Sequence, residues 1–264
     1  MGRLDALESH AIYVLREARR RVEPLVALWS VGKDSNVLLW LARKAFLGSI
    51  PFPVALLDTD NEFPEVYALR DRLIGEWQLD YLRVACPPVA ETDPSLPPNA
   101  RAAARKSLGL RRLIAERRLR GVAVGIRRDE QAVRGKERVF SPRDAAGAWH
   151  AGRQPAELWD QFGTEPPPGG HLRIHPLLDW TELDIWRYTE RERIPVCPLY
   201  FSRAGLRFRS LGERDITRPV PSQAKTIAAI IAELAASREP ERAGRVMDHD
   251  SEDAFERLRG SGYM

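Results

Sequence analysis

Apolar and polar residues follow two different periods along this chain. In some segments apolar side chains recur every three to four residues, which predicts helices with one buried face. In others they form short unbroken runs, which predict buried strands. Helices are predicted over 4–21, 35–46, 62–77 and 100–120, from Thr181 onward, and over 222–236. Strands are predicted over 24–29, 52–57, 81–85, 121–126 and 173–176. This alternation predicts an α/β fold with a mostly parallel sheet flanked by helices.

The regular pattern weakens after the fourth predicted strand. Residues 127–144 are polar and basic, and residues 145–170 are rich in proline and glycine and are expected to be mobile. Residues 181–184 (TELD) have the spacing of a capping box, which marks the start of a helix. We therefore predict an α/β domain over residues 1–200 and an irregular C-terminal extension over 201–264, packing on the core or on a partner.

Charge and cysteine content narrow the classes of function. The formal net charge of +4 favours anionic ligands without choosing among nucleotides, small oxyanions and nucleic acid. Two cysteines exclude a disulfide framework and a four-thiolate metal site. No apolar run approaches the roughly 20 residues that a membrane span needs, and the N-terminus lacks the apolar core of a signal peptide. A cytoplasmic location is therefore expected.

Three polar clusters follow predicted strands at their carboxyl ends. They are residues 30–35, 58–60 and 127–138. In parallel sheets, ligands bind at this edge. The coincidence of three polar clusters there predicts a binding site.

The first cluster, SVGKDS (30–35), has the composition of an anion-binding turn. Gly32 allows a tight turn and a close approach of the backbone to a ligand. Amide groups at the start of the next helix, the hydroxyls of Ser30 and Ser35 and the charge of Lys33 would all favour a phosphate. The glycine spacing of a Walker A loop is missing. The alternative is a plain strand–turn–helix connection with Ser35 as the N-cap.

The other two clusters each allow a functional and a structural interpretation. Asp58 and Asp60 could bind a divalent metal or a ribose hydroxyl, or could be ordinary turn residues. Arg127 and Arg128 directly follow a predicted strand, where an oxyanion clamp would lie. Together with residues 136–138 (KER), they could equally form a solvated network of ion pairs.

Several motifs together resemble one known family. SVGKDS is similar to the SGGKDS pyrophosphate loop of the N-type ATP pyrophosphatases, the PAPS reductase-like superfamily. Further motifs narrow the resemblance to the small, ATP-binding subunit of bacterial sulfate adenylyltransferase, of the CysD/NodP type. These motifs occur in order over nearly the whole chain: LARKAF (41–46), PFPVALLDTD (51–60), RRDEQAVRGKERVFSPRD (127–144), PAELW (155–159), PLLDWTELDIWRY (176–188), RFRSLG (207–212), ERAGR (241–245) and the terminal GYM.

The resemblance implies an adenine nucleotide alpha-hydrolase-like fold and a reaction in which ATP and sulfate give adenosine 5′-phosphosulfate and pyrophosphate. It implies ATP binding by Ser30, Gly32, Lys33, Asp34, Ser35 and Asp58. It implies catalysis by Lys33, Arg127, Arg128, Lys136 and Arg138, and binding of the substrate oxyanion by Arg127, Arg128, Asp129 and Arg138. Mg²⁺ would stabilise the charge that grows on pyrophosphate. The implied partner is a GTPase large subunit of the CysN type, and no nucleic acid or membrane partner is expected.

The chain departs from the family pattern at a few positions. Val31 replaces the first glycine of the loop, and a β-branched residue there is expected to avoid positive φ. Trp40 stands where the family usually has histidine, and residues 99–113 keep little of a family segment that contains a His-Thr pair. These departures are expected to lie near the surfaces that bind substrate.

Three other functions are alternatives to this one, and the sequence supports them to different degrees. The same chemistry could use a different oxyanion or a carboxylate as the acceptor. A sulfonucleotide reductase shares the fold but needs a cysteine nucleophile in the C-terminal tail, and no cysteine follows Cys197. A non-catalytic nucleotide- or RNA-binding relative would use the basic segment 100–120, although the apolar residues of that segment supply a core face.

Overall fold

The computed structural model describes residues 2–96, 98–237 and 241. Within these ranges it has six α-helices and eight strands. The helices are α1 (Arg3–Arg21), α2 (Lys33–Ala45), α3 (Pro64–Trp77), α4 (Pro98–Arg117), α5 (Glu182–Glu192) and α6 (Ile227–Ala236). The strands are β1 (Leu25–Leu28), β2 (Val54–Asp58), β3 (Tyr81–Ala85), β4 (Gly121–Ala123), β5 (Phe140–Arg143), β6 (His171–Ile174), β7 (Leu206–Arg207) and β8 (Val220–Pro221). The rest of the ERAGR motif and the terminal GYM lie outside the described residues.

The central sheet has the strand order β3-β2-β1-β4-β6-β5. Its pairings are parallel except that β5 runs antiparallel to β6 at one edge. The chain runs from β1 through β2 to β3 and then returns to β4 on the other side of β1. The carboxyl ends of β1 and β4 therefore frame a topological switch point, where such sheets bind ligands. The predicted α/β fold with a mostly parallel sheet is confirmed.

The unbroken apolar run of β1 reflects burial on both faces of the sheet. Leu25 and Ala27 pack into a core that includes the buried faces of α1, α2, α3 and α5. Val26 and Leu28 point to the opposite face, where they pack with Leu110 of α4. This alternation places helices on both faces and leaves the strand ends open to the loops.

Predicted helix starts are confirmed at one element and shifted at another. The capping box at α5 is present: Thr181 Oγ1 accepts from the Asp184 N–H at 3.1 Å, and the Thr181 N–H donates to Asp184 Oδ2 at 2.9 Å. α2 begins at Lys33 with Gly32 as its N-cap, so Ser35 lies inside the helix and does not cap it.

The polar stretch 127–144 is predicted without a strand, yet β5 lies within it. Its polarity reflects a buried ionic cluster. Glu137 is fully buried and accepts hydrogen bonds from Arg143 Nη2 at 2.8 Å and from Ser141 Oγ at 2.5 Å. Since charged partners replace apolar residues here, a search for apolar runs does not detect the strand.

Residues 145–170, which are expected to be mobile, contact the sheet at two points. The Glu157 carboxylate of the PAELW motif accepts from the N–H groups of Val139 and Phe140, at 2.9 and 2.8 Å. The ring of Phe162 stacks on that of Phe140, with centroids 4.7 Å apart. These contacts anchor the segment beside β5.

The described part of the C-terminal extension contains the antiparallel pair β7–β8 and α6. α6 contacts α5, and its Ile230 is fully buried in the core. Buried Arg207 of β7 donates to Glu233 Oε1 of α6 at 2.6 Å. α6 begins at Ile227, five residues later than the predicted helix start, because Thr226 caps it by accepting from the Ala229 N–H.

Candidate active site at the sheet switch point

A cavity of about 220 Å³ opens at the carboxyl ends of β1 and β4. Its lining comes from the β1–α2 loop, the segment after β4, the region of α3 and α4, and residues that follow α5 in the chain. Two of the predicted polar clusters, 30–35 and 127–138, supply lining residues. Residues 58–60 are not part of the lining.

The β1–α2 loop turns at Val31. This residue has a φ of 60° and a fully buried side chain, whereas Gly32 has a φ of −72°. The expectation that Val31 avoids positive φ is therefore wrong, because the surrounding core holds it there. Gly32 instead permits a close approach: a Cβ at this position would lie 3.2 Å from Ser30 Oγ and 3.5 Å from the Tyr200 hydroxyl.

Two buried polar residues hold this loop in place. The backbone N–H of Lys33 donates to Tyr200 Oη at 3.0 Å. Burial raises the pKa of Tyr200 to about 12, so it stays a neutral hydroxyl. Asn36 accepts from Trp29 Nε1 at 2.7 Å and donates to the carbonyl of Pro195 at 2.9 Å. These bonds fix the first turn of α2 against the chain that follows α5.

The N-terminus of α2 opens onto the cavity. The hydroxyls of Ser30 and Ser35 lie 3.2 Å apart, and both residues line the cavity. Gly125, after β4, lies against the start of α2, where a Cβ would be 3.2 Å from the Asp34 carbonyl oxygen. A helix N-terminus with hydroxyl groups beside it is suited to an anion.

Lys33 and Arg127 converge on shared carboxylates. Lys33 Nζ contacts Asp34 Oδ2 at 3.1 Å and Glu241 Oε1. Arg127 pairs with Asp34 Oδ1, Glu241 Oε2 and, at 2.9 Å, Asp129 Oδ1. Burial alone would raise the pKa of Glu241, but the charges of Lys33 and Arg127 hold it well below its ordinary range. Two cations and three carboxylates thus form one network, which we call the loop network; Lys33, Arg127 and Glu241 are buried in it, whereas Asp129 is exposed.

Of the first three residues of the RRDE sequence, Arg127 and Asp129 belong to this network and Arg128 does not. Asp129 also accepts the N–H of Glu182 at 2.7 Å, which ties the loop network to the start of α5. Arg128 pairs with Asp179, and it is not part of the cavity lining. Partial burial lowers the pKa of Arg128. The two adjacent arginines therefore point to different surroundings.

Lys136 and Arg138 also lie away from the cavity lining. Lys136 is exposed, and Arg138 Nε donates to the carbonyl of Pro155 at 3.1 Å. The structure thus brings the residues of the β1–α2 loop together with Arg127 and Asp129. It separates Arg128, Lys136 and Arg138 from them.

Asp58 is buried at the end of β2 among structural partners. Its carboxylate accepts from Arg83 Nε at 2.7 Å, Tyr67 Oη at 2.8 Å and the Asp60 N–H at 2.9 Å. Burial opposes ionisation, but these hydrogen bonds keep the pKa of Asp58 below its ordinary value. The carboxylate therefore orders the turn after β2, and the structure places it outside the cavity lining.

Several polar residues of the cavity are missed by the sequence analysis. They are Glu62, Lys106, Ser107, Tyr200, Ser210 and Glu241, whereas Glu130 and Arg134 belong to the predicted cluster 127–138. Lys106 had a detectable signal, because it shares the buried face of α4 with Ala103 and Leu110, three and four residues away. A lysine on an apolar helix face indicates a buried partner, and Lys106 Nζ indeed contacts Glu62 Oε1 at 3.0 Å.

Several basic residues of α4 bond to the loop that precedes the helix. Arg101 Nε donates to the carbonyl of Leu96 at 2.7 Å, and Arg105 Nε to that of Pro87 at 2.6 Å. Arg112 pairs with Glu91 at 2.5 Å. These bonds tie the loop before α4 to the helix, while Arg111, Arg112 and Arg117 are exposed.

Trp40 lies away from the cavity, contrary to the expectation that it is near substrate. Its indole N–H donates to Glu192 Oε2 at 3.1 Å, and its ring lies 5.9 Å from that of Trp77. Trp40 is on the part of α2 that packs against α3 and α5. Its replacement of histidine is therefore a change in packing.

The structure also bears on the other classes of function. Burial raises the pKa of the Cys86 and Cys197 thiols to about 11, so neither is a reactive thiolate at neutral pH. Among residues 2–96, 98–237 and 241, no three or more His, Cys, Asp or Glu side chains form a group that could hold a metal ion. No helix in the described ranges is long and apolar enough to cross a membrane.

Comparison with known proteins places this chain in a family. The model of the phosphoadenosine phosphosulfate reductase domain matches residues 24–219. A Rhodopseudomonas palustris protein named sulfate adenylyltransferase subunit 2 is 40% identical over 99% of this chain and 90% of its own length. A Pseudomonas fluorescens protein of the same name is 35% identical over 99% of this chain and 98% of its own length.

Solved structures share the fold at low sequence identity. FMN adenylyltransferase from Candida glabrata, in complex with ATP, aligns with a TM-score of 0.56 and 17% identity over 82% of this chain and 63% of that chain. Phosphoadenylyl-sulfate reductase from Candida auris aligns with a TM-score of 0.51 and 16% identity over 83% of this chain and 98% of that chain.

The sequence relatives extend over nearly the whole chain, and the domain model covers most of it. Together they show that the chain belongs to the sulfate adenylyltransferase subunit 2 family of nucleotidyltransferases, built on a phosphoadenosine phosphosulfate reductase-type domain.

Proposed function

We propose that this chain transfers the adenylyl group of ATP to sulfate, forming adenosine 5′-phosphosulfate and pyrophosphate. The observation that carries the proposal is the convergence of Lys33 and Arg127 beside the N-terminus of α2, at the switch-point cavity. Two cations and a helix N-terminus form a site for a polyanion. Membership of the sulfate adenylyltransferase subunit 2 family supports ATP and sulfate as the two substrates.

In this proposal the β1–α2 loop binds the leaving group. The N-terminus of α2, the Ser30 and Ser35 hydroxyls and Lys33 hold the β- and γ-phosphates of ATP. A sulfate oxygen forms a bond to the α-phosphorus, and the bond from that phosphorus to the oxygen bridging to the β-phosphate breaks. Donors and charges aimed at the departing pyrophosphate stabilise the charge that it gains. The chain need supply no nucleophile, because alignment of two bound anions carries much of the rate.

The acceptor needs its own cations, because sulfate and the α-phosphate repel each other. Lys106 and Arg134 line the cavity, and we assign them to the acceptor in place of Arg128, Lys136 and Arg138. Both are held by carboxylates: Lys106 contacts Glu62, and Arg134 pairs with Glu130. A positioned cation stabilises a bound anion without having to reorganise.

Mg²⁺ would bind together with ATP. This ion keeps several water ligands and uses one or two carboxylates plus substrate phosphates. Asp34 fits that role, because its carboxylate lies beside the proposed phosphate site and the residue lines the cavity. Bound Mg²⁺ would supply charge neutralisation for the leaving pyrophosphate.

We further propose a companion subunit. The relatives are named as subunit 2 of an enzyme, which supports a partner for this chain. Formation of adenosine 5′-phosphosulfate is strongly uphill, so a GTPase large subunit of the CysN type would couple GTP hydrolysis to it.

The experiment is to measure pyrophosphate release from ATP and Mg²⁺ with sulfate, with and without a CysN-type GTPase and GTP. Release is expected to require sulfate and to increase with the GTPase and GTP. Release with another oxyanion or a carboxylate, but not with sulfate, would retain the α-phosphate chemistry and reject the acceptor. The absence of release with every acceptor would reject the enzyme in favour of a nucleotide-binding role.

A further inference from the structure

Glu241 occupies a position that suits a ligand anion. Its two carboxylate oxygens contact Lys33 Nζ and Arg127 Nη2, and the residue lines the same cavity as the β1–α2 loop. A lysine ammonium and an arginine guanidinium on neighbouring oxygens are also the donors that a phosphate group uses. Glu241 lies 208 residues from Lys33 in sequence, so local chain geometry does not impose the contact.

The Glu241 carboxylate shields Arg127 from the cavity. Only 8% of Glu241 is exposed, and Arg127 is fully buried behind it and Asp34. Arg127 is not itself part of the cavity lining. Removal of the Glu241 carboxylate would therefore give an incoming anion access to Arg127 as well as to Lys33.

The net charge of the loop network also indicates that Glu241 and a bound anion exclude each other. With Glu241 in place, three carboxylates accompany two cations. This surplus of negative charge opposes the entry of a polyphosphate, because like charges at contact distance in a partly buried site repel strongly. Without Glu241 the carboxylates in direct contact with the two cations are those of Asp34 and Asp129.

We infer that Glu241 is an internal occupant of the pyrophosphate subsite, bound to Lys33 and Arg127 in the nucleotide-free chain and displaced by the β- and γ-phosphates of ATP. The inference rests on the proposed function. Its consequence is that Glu241 competes with pyrophosphate and so favours release of this product. The ligand of the subsite is a phosphate-type oxyanion, and the carboxylate is its competitor.

The test is binding of inorganic pyrophosphate to the full-length chain, measured by calorimetry. Glu241→Gln removes the charge and keeps the size of the side chain, and is expected to tighten the Kd by about tenfold or more. Glu165→Gln is the matched control, because it makes the same charge change at an exposed residue that pairs with Arg120. It is expected to leave the Kd unchanged.

A third variant separates this inference from the proposed function. If Lys33→Met binds pyrophosphate as well as the unmodified chain does, the proposed phosphate site itself is wrong. If Lys33→Met loses binding but Glu241→Gln binds no tighter than the unmodified chain, the site stands and the internal occupant is rejected. Weaker binding by Glu241→Gln has the same meaning, because it would show that Glu241 supports the ligand.

A shorter acid covers the case in which Glu241→Gln does not fold. Glu241→Asp keeps the charge but shortens the side chain by one methylene, so that its carboxylate bridges Lys33 and Arg127 less well. Pyrophosphate binding is expected to tighten, by less than with Glu241→Gln. Binding equal to or weaker than that of the unmodified chain would overturn the inference.

Discussion

Val31 combines two opposing contributions to the free energy of unfolding. Burial of a valine side chain stabilises the fold by about 1.5–3 kcal/mol. A φ of 60° is unfavourable for a β-branched residue, at a cost of about 1–3 kcal/mol. The two contributions are similar in size, so the core can hold valine in a conformation that ordinarily favours glycine.

In most buried positions an alanine variant is more stable than a glycine variant. At Val31 we expect the opposite order of stability. Val31→Ala and Val31→Gly both lose the buried side chain, but only glycine relieves the positive φ. The glycine variant should therefore be the more stable by about 1 kcal/mol. Urea unfolding measures the difference.

Val37 is the matched control, since it is equally buried but lies inside α2. There the glycine variant should be less stable than the alanine variant by about 1 kcal/mol. The same order at both positions would show that Val31 is not strained.

Lys33→Met is expected to weaken ATP binding by about 10- to 100-fold, the equivalent of about 1.5–3 kcal/mol for one charge-assisted hydrogen bond. The physical reason is the loss of the lysine charge at the N-terminus of α2. Lys44→Met is the control, because Lys44 lies at the other end of the same helix and pairs with Glu8 and Glu192. Calorimetry with ATP gives both affinities, and equal values would reject the loop as the phosphate site.

Among the elements, β5 depends on a buried ion pair beside two residues, Lys136 and Arg138, that the resemblance assigns to function. The KER sequence places Glu137 between two cations, and the structure turns the carboxylate inward to Arg143 while Lys136 and Arg138 lie outside the cavity lining. A 3-10 turn, Ala132–Lys136, directly precedes Glu137. An isolated sequence motif does not specify such a turn.

Arg143→Met should therefore cost about 3–5 kcal/mol of stability, because it removes the guanidinium that is hydrogen-bonded to the buried Glu137 carboxylate. Arg138→Met should cost less than about 1 kcal/mol, since Arg138 is partly exposed and donates to one loop carbonyl. Urea unfolding compares the two variants. If Arg138→Met stays stable but no longer releases pyrophosphate, Arg138 does take part in substrate binding.

For the whole molecule, His171 couples stability to pH. It lies in β6 opposite Arg143 of β5. Burial and the charges of Arg173 and Arg143 lower its pKa to about 3, against a smaller opposing effect of Asp144. Between pH 3 and its ordinary pKa of about 6.5, the unfolded chain therefore binds more protons than the folded chain. The contribution of His171 to the free energy of unfolding therefore decreases as the pH falls through that range.

Acidification from pH 7 to pH 5 should thus cost about 2 kcal/mol through His171. In His171→Asn this part of the pH dependence should disappear, whatever the absolute stability of the variant. Urea unfolding at the two pH values measures the difference for each protein. Equal decreases in the two proteins would show that His171 does not stay neutral in the fold.

The sequence accounts well for the buried strands and poorly for the polar parts of the fold. The apolar run of β1 predicts its place in the sheet, because any strand buried on both faces needs such residues. β5 is not predicted in this way, because it is buried with polar side chains. Ser141 and Arg143 donate hydrogen bonds to the Glu137 carboxylate inside the protein. Lys106 is an intermediate case. Its position on an apolar helix face predicts a buried partner, but the sequence does not identify that partner as Glu62.

By itself the sequence determined the six helices, the strands β1 to β4 and β6, the loop at residues 30–35 and the family motifs. These features depend on residues that are neighbours in the chain. Only the tertiary structure decided that Val31 takes a positive φ, that Lys106 and Arg134 reach the cavity, and that Glu241 meets Lys33 from 208 residues away. The reason is physical: the direction of a side chain after a strand, and the partner of a buried charge, depend on packing between distant segments.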